Sequence, residues 1–154
     1  MTDISESREY PVRPYVGVGV VVLGPKGVVM IQRGKPPRVG SWSLPGGAQH
    51  LGETVDEAAR REALEETGLE VEVLGLVDVV DSIRHDAERR VQYHYTLVDV
   101  VARPVGGSLA AGSDAADAKW VALADLPALK LWSETLRVIE LGAEMVAALG
   151  GEAA

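Results

Sequence analysis

The stretch GAQHLGETVDEAARREALEETGL, residues 47–69, decides the fold. Its centre predicts a helix from Thr54 to Thr67, because Thr54 and Glu57 have the spacing of a capping box and Gly68 is a natural residue to end a helix. The helix has one apolar face, formed by residues four apart: Val55, Ala59 and Ala63.

The same helix carries three acidic residues on one face. Glu62, Glu65 and Glu66 stand at i, i+3 and i+4, so their carboxylates project together over about one turn. Like charges at this spacing destabilise an isolated helix by roughly 0.2–0.5 kcal/mol, and the obvious compensating pair is Glu57 with Arg61. A hard cation such as Mg²⁺, which prefers oxygen ligands, would remove the repulsion. The alternative interpretation is a solvated acidic face.

Apolar runs on both sides of this helix predict strands. Val16 to Leu23 is a nearly unbroken β-branched run that resumes at Val28 to Gln32 after a Gly-Pro turn, which indicates a hairpin. Leu69 to Val80 and Val91 to Val101 predict two further strands around a charged loop, Asp81 to Arg90.

The C-terminal third predicts one more strand and one more helix. A loop rich in Gly and Ala, Arg103 to Ala118, precedes a short strand at Lys119 to Val121. Ser133 is then expected to cap a helix with an apolar stripe at Leu136, Ile139, Ala143 and Val146. The order of strands, helix, strands and helix predicts an α+β fold, an α/β/α sandwich with a mixed β-sheet between helices.

Length and composition are those of one globular domain. The 154 residues suffice for a single core, which we expect to span residues 11–150 after a flexible tail at 1–10. A net charge of −8 argues against binding to a nucleic-acid polymer, which requires clustered Lys and Arg. The absence of cysteine excludes a thiolate nucleophile and a zinc-thiolate site.

The sequence also shows no signal for a membrane. The first ten residues are polar and acidic, unlike a signal peptide, and no apolar stretch approaches the ~20 residues that a membrane span requires. We therefore expect a cytoplasmic protein without a membrane partner.

Residues 47–69 resemble the complete Nudix box. Every fixed position of that pattern is filled: Gly47, Glu53, Arg61, Glu62, Glu65, Glu66 and Gly68. The resemblance extends over roughly residues 16–139, where SWSLPGG, YHYTLVD and DAKWVALADL are similar to the short Nudix proteins grouped with ADP-ribose pyrophosphatases. It implies the Nudix fold, with the box as a loop-helix-loop catalytic motif.

The resemblance also implies a metal site on the box. Glu62, Glu65 and Glu66 would bind one or more Mg²⁺ ions, for which Mn²⁺ can substitute, and the Gly46 carbonyl would be a further ligand. Arg61 would hold the box together through carboxylate pairs.

Four more positions are implied in support and in substrate binding. Glu53 would fasten the loop or reach a metal through water, and Gly47 belongs to a Pro-Gly-Gly loop without side-chain bulk to block a phosphate. Arg33 stands where such proteins often place a phosphate-contacting base, although a solvated strand-end arginine is the alternative. Trp42 could stack on a base or ribose, or belong to the core.

Pyrophosphate chemistry requires a base as well as a metal. Bound metal neutralises the phosphate oxygens and lowers the pKa of an attacking water, and a nearby carboxylate then takes the proton. Glu62 is the first candidate for that base and Asp114, on a loop after the sheet, is the second, with Asp117 beside it. For both aspartates the alternative is a capped turn or a solvated loop. His85 and His94 are expected to be ordinary surface and strand residues.

The expected activity is Mg²⁺-dependent hydrolysis of a nucleoside diphosphate linked to another group, with ADP-ribose first, by a monomer or homodimer. One alternative is a nucleoside triphosphate pyrophosphohydrolase that clears damaged nucleotides. In many ADP-ribose pyrophosphatases a proline stands about sixteen residues beyond the box, whereas here that region reads Arg84-His85-Asp86. The second alternative is a non-catalytic Nudix domain that senses a nucleotide; such domains usually lose box glutamates, and this chain keeps them.

Overall fold

The computed structural model describes residues 7–34, 38–112 and 115–150. Over these ranges the strands are β1 (Tyr15–Gly24), β2 (Gly27–Arg33), β3 (Trp42–Ser43), β4 (Gly46–Ala48), β5 (Leu69–His85), β6 (Val91–Gly107) and β7 (Ala115–Val121). The helices are α1 (Val55–Thr67), a 3-10 helix (Leu123–Leu129) and α2 (Ser133–Ala148). In the described ranges, no helix combines the length and the apolar character needed to cross a membrane.

The strands form one mixed sheet. Its order is β3-β2-β1-β6-β5, with β4 paired to β1 and β7 paired to β2. β1 and β6 run parallel, from Tyr15 opposite Tyr95 to Val22 opposite Ala102, and the other pairs are antiparallel. The predicted mixed sheet is therefore confirmed.

The sheet lies between the two helices, and β1 contributes to the core on both of its faces. On the α1 side, one cluster joins Val18, Val20 and Val22 with Ala58, Ala59 and Ala63. On the α2 side, another joins Val21 and Leu23 with Val138, Ile139 and Val146. Because successive side chains of a strand point to opposite faces, a strand buried on both faces must be apolar throughout. That explains the unbroken β-branched run and confirms the α/β/α sandwich.

Two predicted loops are wrong at their ends. β5 continues to His85 and β6 begins at Val91, so only residues 86–90 remain between them, and the Asp86 carboxylate accepts the backbone N–H of Glu88 and of Arg90. β6 likewise continues to Gly107 and β7 begins at Ala115. In each case cross-strand pairing satisfies the backbone of a segment whose polar or Gly-rich composition does not show strand character.

The helix ends separate a correct prediction from a wrong one. Thr54 caps α1 through the Glu57 N–H while the Glu57 carboxylate accepts the Thr54 N–H, and Gly68 ends the helix at φ 75°. Ser133, in contrast, is the first residue of α2, and Trp132 occupies the cap position without a side-chain hydrogen bond. Ser133 lies inside the helix and not at its cap position, so the predicted serine cap is absent from this end.

Candidate active site

Arg61, on α1, organises the loop before the helix and the acidic face of the helix. Its Nε and Nη2 donate to the two oxygens of Glu53 at 2.6 and 3.0 Å, and Nη1 donates to Glu62 Oε2 at 2.8 Å and to Glu65 Oε1 at 3.2 Å. Nη2 also donates to the Ala48 carbonyl at 3.1 Å. One guanidinium thus joins three carboxylates and the end of β4, a geometry that the planar fork of arginine suits.

Glu53 is the most strongly bound of these carboxylates. Hydrogen bonding from Arg61, followed by that from the His50 N–H, lowers the pKa of Glu53 to about 2. The Glu53 N–H donates in turn to the His50 carbonyl, and the Gln49 side chain donates to the Glu53 carbonyl at 2.6 Å. Glu53 therefore stays charged at neutral pH and fixes the loop to the helix.

The predicted pairing of Glu57 with Arg61 is wrong. Glu57 Oε1 accepts the Thr54 N–H at 2.9 Å, which commits this carboxylate to the start of the helix. Arg61 turns instead toward Glu53, which lies outside the helix. Compensation of the acidic face comes from a loop contact that helical spacing alone does not show.

Gly47 provides room for the Glu62 carboxylate. Glu62 is only 8% exposed, and a β-carbon at position 47 would lie 2.5 Å from its Oε2 and 2.9 Å from its Oε1. No side chain fits there without moving the carboxylate. The glycine expected to let a phosphate approach therefore has a second physical reason to be glycine.

Gly46 connects the loop to Glu66. Its N–H donates to Glu66 Oε1 at 2.8 Å and so does not belong to the ladder with β1. In an antiparallel pair, the N–H and C=O of one residue point to the same side. The Gly46 carbonyl is consequently directed away from β1, toward the side on which Glu66 lies.

The donor set fits a hard divalent cation in its chemistry. Within the described ranges, no three acidic or histidine side chains converge on a common point, because Glu62 and Glu65 each turn one oxygen to Arg61. Glu62 Oε1 and Glu65 Oε2 accept no hydrogen bond from any described residue. These oxygens, with Glu66 and the Gly46 carbonyl, are the oxygen ligands that Mg²⁺ prefers.

The predicted substrate residues lie around β2 and β3. Arg33 ends β2 at a register shift and is tied through its backbone to Ser41 and Gly40. Trp42 packs against the α2-side core, and the Lys119 ammonium lies 4.5 Å from its ring centre. The tryptophan therefore contacts both the core and a cation.

The second candidate base is not placed by the structure. Asp114 lies outside the described residues. Asp117 is on β7, exposed, and its Oδ1 accepts the Ala118 N–H. His85 ends β5 opposite Val91, and His94 lies on β6 opposite Ile83.

One buried acidic residue was not among the site residues predicted from the sequence. Asp99, on β6, is 7% exposed and lies between Leu97 and Val101, which both pack on the α2 side. Burial, and then the negative charge of Asp78, raises the pKa of Asp99 to about 6, while Arg137 opposes the shift. The signal was an acid within an apolar strand, in YHYTLVD.

An open apolar pocket of about 360 Å³ lies elsewhere. Its walls come from the first turn of α1 and from β5 and β6: Val55, Asp56, Val73, Leu74, Gly75, Leu76, Val98 and Val100. None of the predicted site residues lines it.

Comparison with known protein families identifies the family of this chain. Residues 13–141 match the family model of the NUDIX domain. The chain belongs to the Nudix family. The resemblance of residues 47–69 to the Nudix box is thereby confirmed, and the arginine-centred loop-helix-loop is the Nudix motif of this chain.

Relatives of this Nudix protein carry several substrate names. It is 37% identical over 127 residues to the ADP-ribose pyrophosphatase of Methanocaldococcus jannaschii, covering 82% of this chain and 72% of the relative. It is 35% identical over 134 residues to the 8-oxo-dGDP phosphatase NUDT18 of Mus musculus, covering 84% of this chain but only 39% of the relative.

A solved structure agrees in fold and in sequence. The MutT NUDIX hydrolase from Burkholderia pseudomallei superposes with a TM-score of 0.71 at 30% identity, covering 84% of this chain and 98% of the other. Together these comparisons make the chain a Nudix pyrophosphohydrolase acting on phosphorus-containing anhydrides. Nudix hydrolases generally need a divalent metal, usually Mg²⁺.

Proposed function

We propose that this Nudix hydrolase cleaves the pyrophosphate of ADP-ribose, or of a similar nucleoside diphosphate sugar, to a nucleoside monophosphate and a sugar phosphate. The observation that carries the proposal is the Arg61 cluster, which assembles an intact set of box carboxylates. The choice of ADP-ribose is supported by the archaeal pyrophosphatase, which matches this chain over most of both lengths.

In this proposal the box residues hold the metal and the reacting water. Glu62, Glu65, Glu66 and the Gly46 carbonyl would bind Mg²⁺, which supplies charge neutralisation at the phosphates and a lowered pKa for water. Glu62 Oε1 would accept a proton from the attacking water. The water oxygen would bond to phosphorus as the bond from phosphorus to the bridging oxygen breaks. Asp114 remains the second candidate for this base.

The supporting residues keep this arrangement fixed. Glu53 holds Arg61 against the loop, and Arg61 restrains Glu62 and Glu65 on the same side of α1. Gly47 leaves the room that the Glu62 carboxylate occupies. Arg33 would contact a phosphate, and Trp42 would contact the base or ribose.

A second candidate function is hydrolysis of damaged nucleoside di- or triphosphates. A specific observation favours it: burial, and then the neighbouring charges of Arg84 and Arg33, lowers the pKa of Arg38. Three arginines therefore share one region near the β2–β3 loop, and an additional phosphate would relieve their repulsion. The NUDT18 relative is named for such a substrate.

The proposal is tested with the full chain and a panel of ADP-ribose, nucleoside diphosphate sugars and nucleoside triphosphates, with products separated by chromatography. We expect AMP and ribose 5-phosphate from ADP-ribose with Mg²⁺ and no turnover in EDTA. Release of pyrophosphate from triphosphates, with ADP-ribose untouched, would establish the second candidate instead.

A matched pair of variants then separates catalysis from folding. Glu62→Gln removes the proposed ligand and base and should lower kcat by ~10² to 10⁴-fold. Glu140→Gln, an exposed position on α2, removes the same charge and should retain wild-type kcat. Normal kcat in both variants would show that the box glutamates are structural.

A further inference from the structure

Asp99 is a buried carboxylate that has no hydrogen-bond partner among the described residues. It is 7% exposed, and no described residue donates a hydrogen bond or forms an ion pair with it. Burying a charged group in this way is costly, and buried polar groups are normally hydrogen-bonded. A residue that only filled the core at this position would be apolar, as Leu97 and Val101 are on the same face.

Asp99 lies in one row of residues that runs across the sheet from the box loop. Gly46 of β4 is opposite Gly19 of β1, Gly19 is opposite Asp99 of β6, and Asp99 is opposite Asp78 of β5. Neither glycine has a side chain, and a β-carbon on Gly19 would collide with Asp99 Oδ1. The Asp99 carboxylate therefore leans over the bare backbone of β1, toward the box loop.

This row is open to a ligand on the α2 side. Gly19, Gly46 and Leu44 are only half-buried, and Leu44 Cδ1 lies 3.9 Å from the β-carbon position of Gly19. Two strand spacings separate Gly46 from Asp99, roughly 10 Å. That is about the reach of a nucleoside from a phosphate held at the box.

The charged side chains near Asp99 do not explain why a carboxylate is buried at this position. Asp78 binds the Arg137 guanidinium at 2.9 Å, and Arg137 also holds Glu134 at 2.8 Å, so the only described cation packed on this part of the face is engaged by two other carboxylates. Asp99 lies beside this group and accepts no hydrogen bond from the part of the chain that the structure describes. Its acceptor oxygens are available to a donor that enters over Gly19.

We infer that Asp99 is a specificity-determining residue, which accepts a hydrogen bond from an N–H or O–H donor on the nucleoside of the substrate. The inference rests on the proposed function, because it assumes a phosphate at the box, and it adds the group that reads the nucleoside. Since a site built for a hydrogen bond rejects a ligand that lacks the donor, Asp99 would discriminate among nucleosides.

The test removes the hydrogen-bond donor from the substrate and then the acceptor from the protein. ADP-ribose is compared with its analogue lacking the adenine 6-amino group, and with analogues lacking the 2′ or the 3′ hydroxyl of the adenosine. Wild type should lose about 10-fold or more in kcat/KM with one of these analogues, mainly in KM because the donor is remote from the reacting phosphate. The amino and hydroxyl analogues distinguish a base donor from a sugar donor.

The variants decide the role of Asp99. Asp99→Val removes the acceptor and should reduce the discrimination to about threefold or less. Asp99→Asn keeps a neutral carbonyl acceptor, which forms a weaker hydrogen bond than a carboxylate, and should reduce the discrimination in part. Both variants should melt at or above the temperature of wild type. Asp78→Asn, the neighbouring acid on the same face, should keep wild-type discrimination. Equal discrimination by wild type and both Asp99 variants would overturn the inference.

Failure of the proposed function has a separate signature. If wild type ignores ADP-ribose but cleaves other nucleotides, ADP-ribose is the wrong substrate, and the inference is judged on that panel. It stands if Asp99→Val, which has no acceptor, changes the ranking of adenine, guanine, cytosine and uracil nucleotides, and it is rejected if the ranking is unchanged.

Discussion

Asp99→Asn should increase the free energy of unfolding at neutral pH, and this stabilisation should grow as the pH rises. The pKa of Asp99 is about 6 in the folded protein, against an ordinary value of 3.8. Between these values the folded state keeps a proton that the unfolded state loses, so the free energy of unfolding falls as pH rises. The full cost is present above the folded-state pKa and is absent below pH 4.

The magnitude follows from the size of that shift. A difference of about two pKa units corresponds to about 3 kcal/mol at neutral pH. Asparagine does not titrate, so the difference in stability between variant and wild type should grow by this amount between pH 4 and pH 7.5. For a chain of this length it corresponds to about 6–12 °C in Tm.

The measurement is urea denaturation of both proteins from pH 4 to pH 7.5. Growth of the difference with pH reports the buried charge, and any part of the difference that is constant with pH reports the amide itself. Asp81→Asn, an exposed position on β5, is the control and should change stability by less than about 0.5 kcal/mol throughout. A difference for Asp99→Asn that stays flat with pH would refute the reasoning.

Three further substitutions probe the box. Gly47→Ala places a methyl group against the Glu62 carboxylate and should lower kcat by about 10²-fold, with the melting curve nearly unchanged. Its control is Gly75→Ala, where a β-carbon makes an ordinary 3.5 Å contact, and this variant should retain activity. Arg61→Gln leaves box carboxylates without their counter-charge and should cost about 3 kcal/mol in urea denaturation as well as activity. Thr54→Ala removes the α1 cap and should cost about 1 kcal/mol in the same assay with kcat retained.

Local signals in the sequence predicted α1 correctly. The Thr54 cap, the Glu57 that completes the capping box and the Gly68 end are all formed by residues within one turn of the helix terminus that they define. The unbroken run of β1 was equally readable, because its composition reflects burial on both faces. Such features need no knowledge of distant parts of the chain.

The sequence predictions were wrong or incomplete where contacts between residues far apart in the sequence determine the structure. The C-terminal ends of β5 and β6 are polar or Gly-rich, and each becomes a strand because it pairs with the N-terminal part of the other strand. Arg61 had a helical partner at the right spacing, but Glu57 is used at the cap and the loop residue Glu53 takes its place. Asp99 went unnoticed because only the parallel pairing of β1 with β6 places Gly19 beside it.

The parallel pairing of β1 with β6 also determines when the chain can fold during synthesis. Gly17 is opposite Leu97, so the apolar strand β1 can pair with β6 only after about 80 further residues have been synthesised. At a translation rate of about 5–20 residues per second, that delay is about 4–16 s. Throughout it the valine run is exposed on the nascent chain, although the hairpin with β2 is available early. The nascent chain therefore presents this apolar strand without its β6 partner until β6 has been synthesised.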